Sequence, residues 1–215
     1  MNFIFQKNLF LIFTFAVAFA FVESSVVVYL RALYYPEGFT FPLKEMPVDH
    51  LVVELTREFS TLVMLAAAGM LAGGSRWGKF SFFLFAFGVW DIFFYVWLKV
   101  LLHWPATLFE WDILFLIPVP WIGPVIAPVL ISLFLITAGL LILRKEEFFH
   151  PPILSWILAI LGSGCILYSF TLDTGATLRF QMPRPYRYEL FVLGIVMYVA
   201  ALYFSFSRNA SAPSQ

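Results

Sequence analysis

The sequence predicts an all-α, polytopic integral membrane protein whose helices form one bundle. Composition is the first observation behind this prediction. Of the 215 residues, 62% are hydrophobic, 20% are aromatic and only 12% are charged, and the mean hydropathy is +0.91. A soluble domain typically has about 25% charged residues. The chain therefore has the composition of a protein whose solvent is largely a lipid bilayer.

Segment length is the second observation. Six apolar segments are each about 20 residues long, the length a helix needs to cross about 30 Å of hydrocarbon. The connections between them are short, so no soluble domain of useful size is expected. The predicted spans are approximately residues 9–33, 49–72, 80–103, 122–143, 153–172 and 188–206. They form one membrane domain, residues 1–206, followed by a short disordered tail, residues 207–215.

The first segment must be distinguished from a cleavable signal peptide. It combines Lys7, an apolar run and the small-residue step from Ala18 to Ala20, which together are typical of such a peptide. However, the apolar character resumes after Glu23 as SSVVVYLRAL. This run is too long for a signal sequence, so we expect an uncleaved first span.

The connection between the third and fourth spans is rich in proline and tryptophan. Trp104, Trp111 and Trp121 occupy positions typical of a membrane–water interface. The repeated prolines prevent one straight helix. We therefore predict an interfacial or re-entrant segment that covers one end of the bundle. Glu110 and Asp112 would point inward from it, with arginines of the fifth loop as their counter-charges.

Lysine and arginine in the short loops indicate the orientation, because cytoplasmic loops are enriched in both. The connection between the third and fourth spans has neither, which favours a cytoplasmic N-terminus and C-terminus in a bacterial-type inner membrane. The fifth loop argues the other way, since it carries Arg179, Arg184 and Arg187.

Ionisable residues recur at spacings of four or eight within the first three spans, and residues four apart share one helical face. A charge at the bilayer centre costs at least about 2.5–3.5 kcal/mol, so such faces turn towards the bundle interior. We therefore expect the three polar faces to meet. They consist of Glu23 and Arg31 on the first span, His50, Glu54 and Glu58 on the second, and Asp91, Tyr95, Lys99 and His103 on the third.

These polar faces lie at similar depth. At about 1.5 Å rise per residue, Glu54 and Glu58 lie within three turns of the first loop. Glu23 lies late in a span that runs the other way, and Asp91 lies nearer the middle. We therefore predict that these four residues share one polar, carboxylate-rich cavity in the outer half of the bilayer.

Such a cavity suits a binding or catalytic site for a lipid-like or small anionic ligand. Glu58 and Asp91 are the candidate catalytic residues, because a desolvated carboxylate can act as an acid or a base. No established catalytic signature accompanies them, so the sequence leaves open whether the protein is an enzyme. The candidate ligand-binding residues are Glu23, Arg31, Glu54, Arg57, Lys99 and Arg179.

A divalent metal is a further candidate ligand. His50, Glu54, Glu58 and His103 offer the imidazole and carboxylate groups that helical bundles use to hold metals. The pattern is weak, because the chain has only three histidines and no Glu-x-x-His motif. The alternative is that both histidines are interfacial residues at span ends.

Two other functions compete with a one-sided site: a small membrane transporter, and a non-catalytic helical subunit or anchor of a larger complex. The expected partners are membrane lipids and either other membrane subunits or further copies of the chain. The formal net charge is zero, so no nucleic-acid partner is expected. Cys165 is the single cysteine, which excludes an intrachain disulfide.

Overall fold

Long helices account for most of the fold. The computed structural model describes residues 3–207, with side chains from residue 6 onwards. The helices are α1 (Phe3–Tyr34), α2 (Val48–Ala72), α3 (Arg76–Leu102), α4 (Ile126–Arg144), α5 (Ile153–Thr171), the single-turn α6 (Thr174–Thr177) and α7 (Tyr188–Ser207). Two strands, β1 (Trp111–Phe115) and β2 (Trp121–Pro124), and a 3₁₀ turn (Glu146–Phe148) complete the fold. Of the predicted disordered tail, residue 207 ends α7 and residues 208–215 lie outside the described part of the chain.

Within residues 3–207, five helical segments are long and apolar enough to cross a membrane: α1, α3, α4, α5 with α6, and α7. The helical membrane class predicted from composition is therefore supported. Helix α2 is also long, with 25 residues, but it is not one of these five. Its buried face consists of Glu54, Glu58, Thr61, Leu65 and Gly69.

Helix α3 is central to one half of the bundle, because it packs against α1, α2 and α4. Small residues allow α3 and α4 to approach closely. A Cβ atom added at Gly88 would lie 2.6 Å from the carbonyl oxygen of Ser132, and one at Gly139 would lie 2.7 Å from that of Ser81. Such small-residue interfaces are typical of helices that associate in a membrane. The other half of the bundle is the pair of α5 and α7.

The connection between α3 and α4 forms an antiparallel hairpin. Asp112 of β1 pairs with Gly123 of β2, and Ile113 pairs with Ile122. Helix α4 consequently begins at Ile126 rather than near residue 122 as predicted, because residues 121–124 hydrogen-bond to β1. The backbone N–H of Ile126 also donates to the carbonyl of Leu108 at 2.7 Å, which ties the connection to the start of α4.

Buried charge is confined to one end of the bundle. Among the described residues, the buried charged side chains lie towards the end at which α1 stops, α2 begins and the hairpin sits. They are Glu23, Arg31, Glu54, Glu58, Asp91, Asp112 and Asp173. The hairpin and the α1–α2 loop therefore enclose the polar part of an otherwise apolar bundle.

Candidate functional site

A cavity of about 110 Å³ opens where α1, α2 and β1 meet. We call it the α1–α2 pocket. Its charged lining residues are Arg31, Glu54, Arg57, Glu58 and Asp112. Its aromatic lining residues are Tyr34, Tyr35, Phe39 and Phe94. Of the predicted polar positions on α1 and α2, Arg31, Glu54 and Glu58 line this cavity, together with Arg57 and Asp112. Glu23, which was predicted to share the cavity, does not line it.

Arg57 neutralises carboxylates from two helices. Its Nε donates to Oε2 of Glu54 at 2.9 Å and its Nη2 lies 2.8 Å from the same oxygen. Its Nη1 donates to Glu23 of α1. The other oxygen of Glu23 accepts a hydrogen bond from Thr61 Oγ1 at 2.6 Å. We call these four residues the Arg57 cluster. The cluster joins α1 to α2 inside the bundle, where an unpaired buried charge would be costly.

Arg31 is held between a carboxylate and two aromatic rings. Its Nη2 donates to Oδ1 of Asp112 at 3.1 Å, and its guanidinium carbon lies 3.8 Å from the ring centroid of Trp104 and 4.4 Å from that of Phe39. The side chain is only 8% exposed, yet its Nη1 has no hydrogen-bond partner among the described residues. One strong donor of a residue that lines this pocket is therefore buried and unused.

Asp112 lies on the hairpin, outside the membrane-spanning helices, and is fully enclosed. Burial raises the pKa of this carboxyl to about 6, while the neighbouring Arg31 opposes the rise. Tyr95 of α3 lies beside the same carboxyl. Asp112 thus pairs with Arg31 at a position where a carboxylate without a cation would be strongly disfavoured.

Glu58 uses only part of its hydrogen-bonding capacity. Its Oε2 accepts a hydrogen bond from the backbone N–H of Leu116 at 2.8 Å, which fixes the end of β1 against α2. In the part of the chain that the structure describes, no cationic side chain lies within salt-bridge distance of Glu58. The residue is nevertheless buried, with 7% of its surface exposed. Glu58 is therefore a buried acceptor that forms no salt bridge among the described residues, although the charge of the nearby Arg57 acts on it.

Asp91 does not share the pocket, contrary to prediction. It accepts a hydrogen bond from Ser132 Oγ at 2.8 Å and lines a separate, mostly apolar cavity of about 350 Å³. The reason is its position on α3, one turn after Gly88, where the helix packs so closely on α4 that an added Cβ would lie 2.6 Å from the carbonyl oxygen of Ser132. Asp91 therefore faces α4. Strand β1 divides the two cavities, with Ile113 on one side and Leu114 on the other.

Lys99 and Arg179 are also absent from the pocket. Lys99 is exposed, and its Nζ donates to the carbonyls of Pro105 at 2.7 Å and His103 at 3.3 Å. A lysine at this position satisfies carbonyl oxygens at the C-terminal end of a helix, so Lys99 does not neutralise the glutamates of α2. Arg179 is exposed beyond α6 and does not line the pocket.

The structure does not assemble the predicted metal set of His50, Glu54, Glu58 and His103. Nδ1 of His50 hydrogen-bonds to the hydroxyl of Tyr34, Glu54 pairs with Arg57, and His103 ends α3 in a left-handed conformation with φ 56°. In residues 3–207, no group of three or more His, Cys, Asp or Glu side chains is placed to hold a metal ion.

The pairing of Arg31 with Asp112 is the main feature that the sequence did not reveal. Asp112 was expected to point inward, and it does, but its expected partners were the arginines of the fifth loop. Of these, Arg184 instead pairs with Asp173, with Nε 2.8 Å from Oδ1. Only the eight-residue spacing of Glu23 and Arg31 placed Arg31 on an inward face, and it carried no information about its partner.

No family model, curated protein or solved structure matches the chain. The function must therefore be inferred from the pocket itself. Chemically, the pocket presents one unused guanidinium donor, one glutamate without a salt bridge in the described chain and several aromatic faces. These groups suit the recognition of a small polar group.

The Arg31–Asp112 pair gives a testable prediction about stability. Asp112→Leu leaves Arg31 buried and unpaired, which typically costs about 3–5 kcal/mol. We expect Arg31→Met combined with Asp112→Leu to recover most of that loss, because the double variant strands no charge. The measurement is the free energy of unfolding in mild detergent.

The control for this prediction is Arg187→Met, which removes an exposed arginine that forms no salt bridge with the described residues. It should leave the free energy of unfolding nearly unchanged, because it strands no buried charge. Equal losses for Asp112→Leu and Arg187→Met would contradict the assignment of a buried, interdependent pair.

Proposed function

We propose that the protein is a membrane-embedded binding protein whose α1–α2 pocket holds the polar part of a lipid-like or small ligand. The unpartnered Nη1 of Arg31 is the observation that carries this proposal. A buried donor left without an acceptor costs about 1–3 kcal/mol, and more when it is charged. An oxygen atom of a ligand in the pocket would recover that cost.

We also propose that α2 is the sixth span. The support is its reversed amphipathicity: the helix buries Glu54 and Glu58 while exposing Val52, Val53 and Phe59. A helix of a soluble protein does the opposite, whereas a helix surrounded by lipid turns its charges inward. With the N-terminus and C-terminus in the cytoplasm, the pocket then opens in the outer half of an inner membrane.

Binding is favoured over catalysis by the positions of the two candidate catalytic carboxylates. Glu58 lines the α1–α2 pocket, and Asp91 lies in the separate cavity beyond β1. They are therefore not arranged to act as an acid and a base on the same group. The remaining charged residues of the pocket are mostly paired with one another, which suits a preformed receptor.

The topology can be tested with single cysteines in a Cys165→Ser background. Glu45→Cys, in the α1–α2 loop, should react with a membrane-impermeant thiol reagent added outside bacterial spheroplasts. Gly74→Cys, between α2 and α3, and Glu147→Cys, between α4 and α5, should react only after permeabilisation. All three positions are exposed. Labelling of Glu45→Cys and Gly74→Cys from the same side would contradict a spanning α2.

Ligand binding can be tested by native mass spectrometry of the purified protein with short-chain phosphatidylethanolamine and phosphatidylglycerol as probes. We expect saturable binding of one molecule. The Arg31→Met, Asp112→Leu double variant should bind at least about tenfold more weakly, because a hydrogen bond to a charged group contributes about 1.5–3 kcal/mol. The matched control is Arg187→Met, which removes an exposed arginine near the same membrane face. Equal binding by the double variant and this control would contradict the assigned pocket.

A further inference from the structure

We infer that the ligand of the α1–α2 pocket is a zwitterion, with an ammonium group as well as an anionic oxygen. This inference rests on the proposed binding function and identifies the chemical class of the ligand. Two groups of the site keep unused hydrogen-bonding capacity after the internal pairs have formed. Those groups are the Nη1 donor of Arg31 and the carboxylate of Glu58.

The charges of the site favour a ligand that brings positive charge. The pocket and the Arg57 cluster together contain four carboxylates and two guanidinium groups. Arg57 is occupied by Glu23 and Glu54, and Arg31 is paired with Asp112. With all six groups ionised, the site has two more negative than positive charges, and a purely anionic ligand would add to this surplus in a buried site, where like charges repel strongly. A cationic group near Glu58 would reduce that surplus.

Glu58 is placed to accept hydrogen bonds from an ammonium group. A carboxylate has about four acceptor positions, and the N–H of Leu116 occupies one of them at 2.8 Å. The residue lines the pocket and is 7% exposed. An ammonium donor in the pocket would thus meet a desolvated carboxylate, where charge-assisted hydrogen bonds are strong.

The aromatic lining supports the same chemistry. Tyr34, Tyr35, Phe39 and Phe94 contribute rings to the pocket, and ring faces attract ammonium groups within about 6 Å of the centroid. Two of these rings already contact cations, the guanidinium of Arg31 over Phe39 at 4.4 Å and the ammonium of Lys44 over Tyr35 at 5.4 Å. This wall of the pocket therefore tolerates positive charge.

The anionic end of the ligand is assigned to Arg31. Its buried Nη1 has no partner in the described chain, while Asp112, Trp104 and Phe39 hold the rest of the guanidinium in place. A phosphate or carboxylate oxygen is the acceptor that a guanidinium recognises best. An ammonium and an oxyanion in one small molecule fit the headgroup of an aminophospholipid as well as a free zwitterion with the same groups.

The test compares phosphatidylethanolamine with phosphatidylglycerol of identical chain length by native mass spectrometry. The two lipids share a phosphate, and only the first has an ammonium group. We expect the wild-type protein to bind phosphatidylethanolamine at least about tenfold more tightly. Glu58→Gln should abolish this preference, because glutamine keeps an acceptor for the Leu116 N–H but loses the charge. Glu189→Gln, at an exposed position on α7, should retain the preference.

The binding results distinguish a wrong ligand class from a wrong binding pocket. Saturable, Arg31-dependent binding with equal affinity for both lipids, or an unchanged preference in Glu58→Gln, would overturn the zwitterion and retain the pocket. Failure of both lipids to bind would overturn both proposals. Competition by soluble glycerophosphoethanolamine distinguishes the sources. Displacement of the lipid supports a free zwitterion, and binding of the intact lipid alone supports a membrane headgroup.

Discussion

The pairing of Arg57 with Glu23 and Glu54 is the interaction on which the rest of this structure depends. In a bilayer, each of these charges would be costly alone, and together they are neutralised by hydrogen-bonded contacts between α1 and α2. The contact requires α2 to turn its charged face inward and its apolar face outward. Once α2 is oriented in this way, Glu58, one turn after Glu54, must also lie inside the bundle.

The hairpin completes the site that this orientation creates. Strand β1 brings Asp112 to Arg31 of α1, and the N–H of Leu116 reaches Glu58 of α2 at 2.8 Å. A polar cavity therefore remains between two helices and a strand, enclosed by its own ion pairs. After these pairs form, the Nη1 donor of Arg31 and acceptor positions of Glu58 remain without partners in the described chain. These two groups are the basis for inferring a ligand with complementary charges.

Much of the fold and part of the site could be predicted from the sequence. The cost of charge in lipid and the four-residue spacing of Glu54 and Glu58 together predict an inward face, and the structure buries both residues. However, the spacing of polar residues along a helix does not predict which neighbouring helix the polar face contacts. Helix α3 packs against α1, α2 and α4. Asp91 could therefore have faced any of these three helices, and in the structure it faces α4. The partner of Arg31 lies 81 residues away on a short strand, and no local pattern links the two.

An experimental density map of the protein in phosphatidylethanolamine-containing nanodiscs would test the central claim most directly. The account predicts headgroup density in the α1–α2 pocket, with an oxyanion at hydrogen-bond distance from Nη1 of Arg31 and an ammonium group at Glu58. A map in which Arg31 bonds only to protein groups and the glutamate turns towards the lipid chains would contradict it.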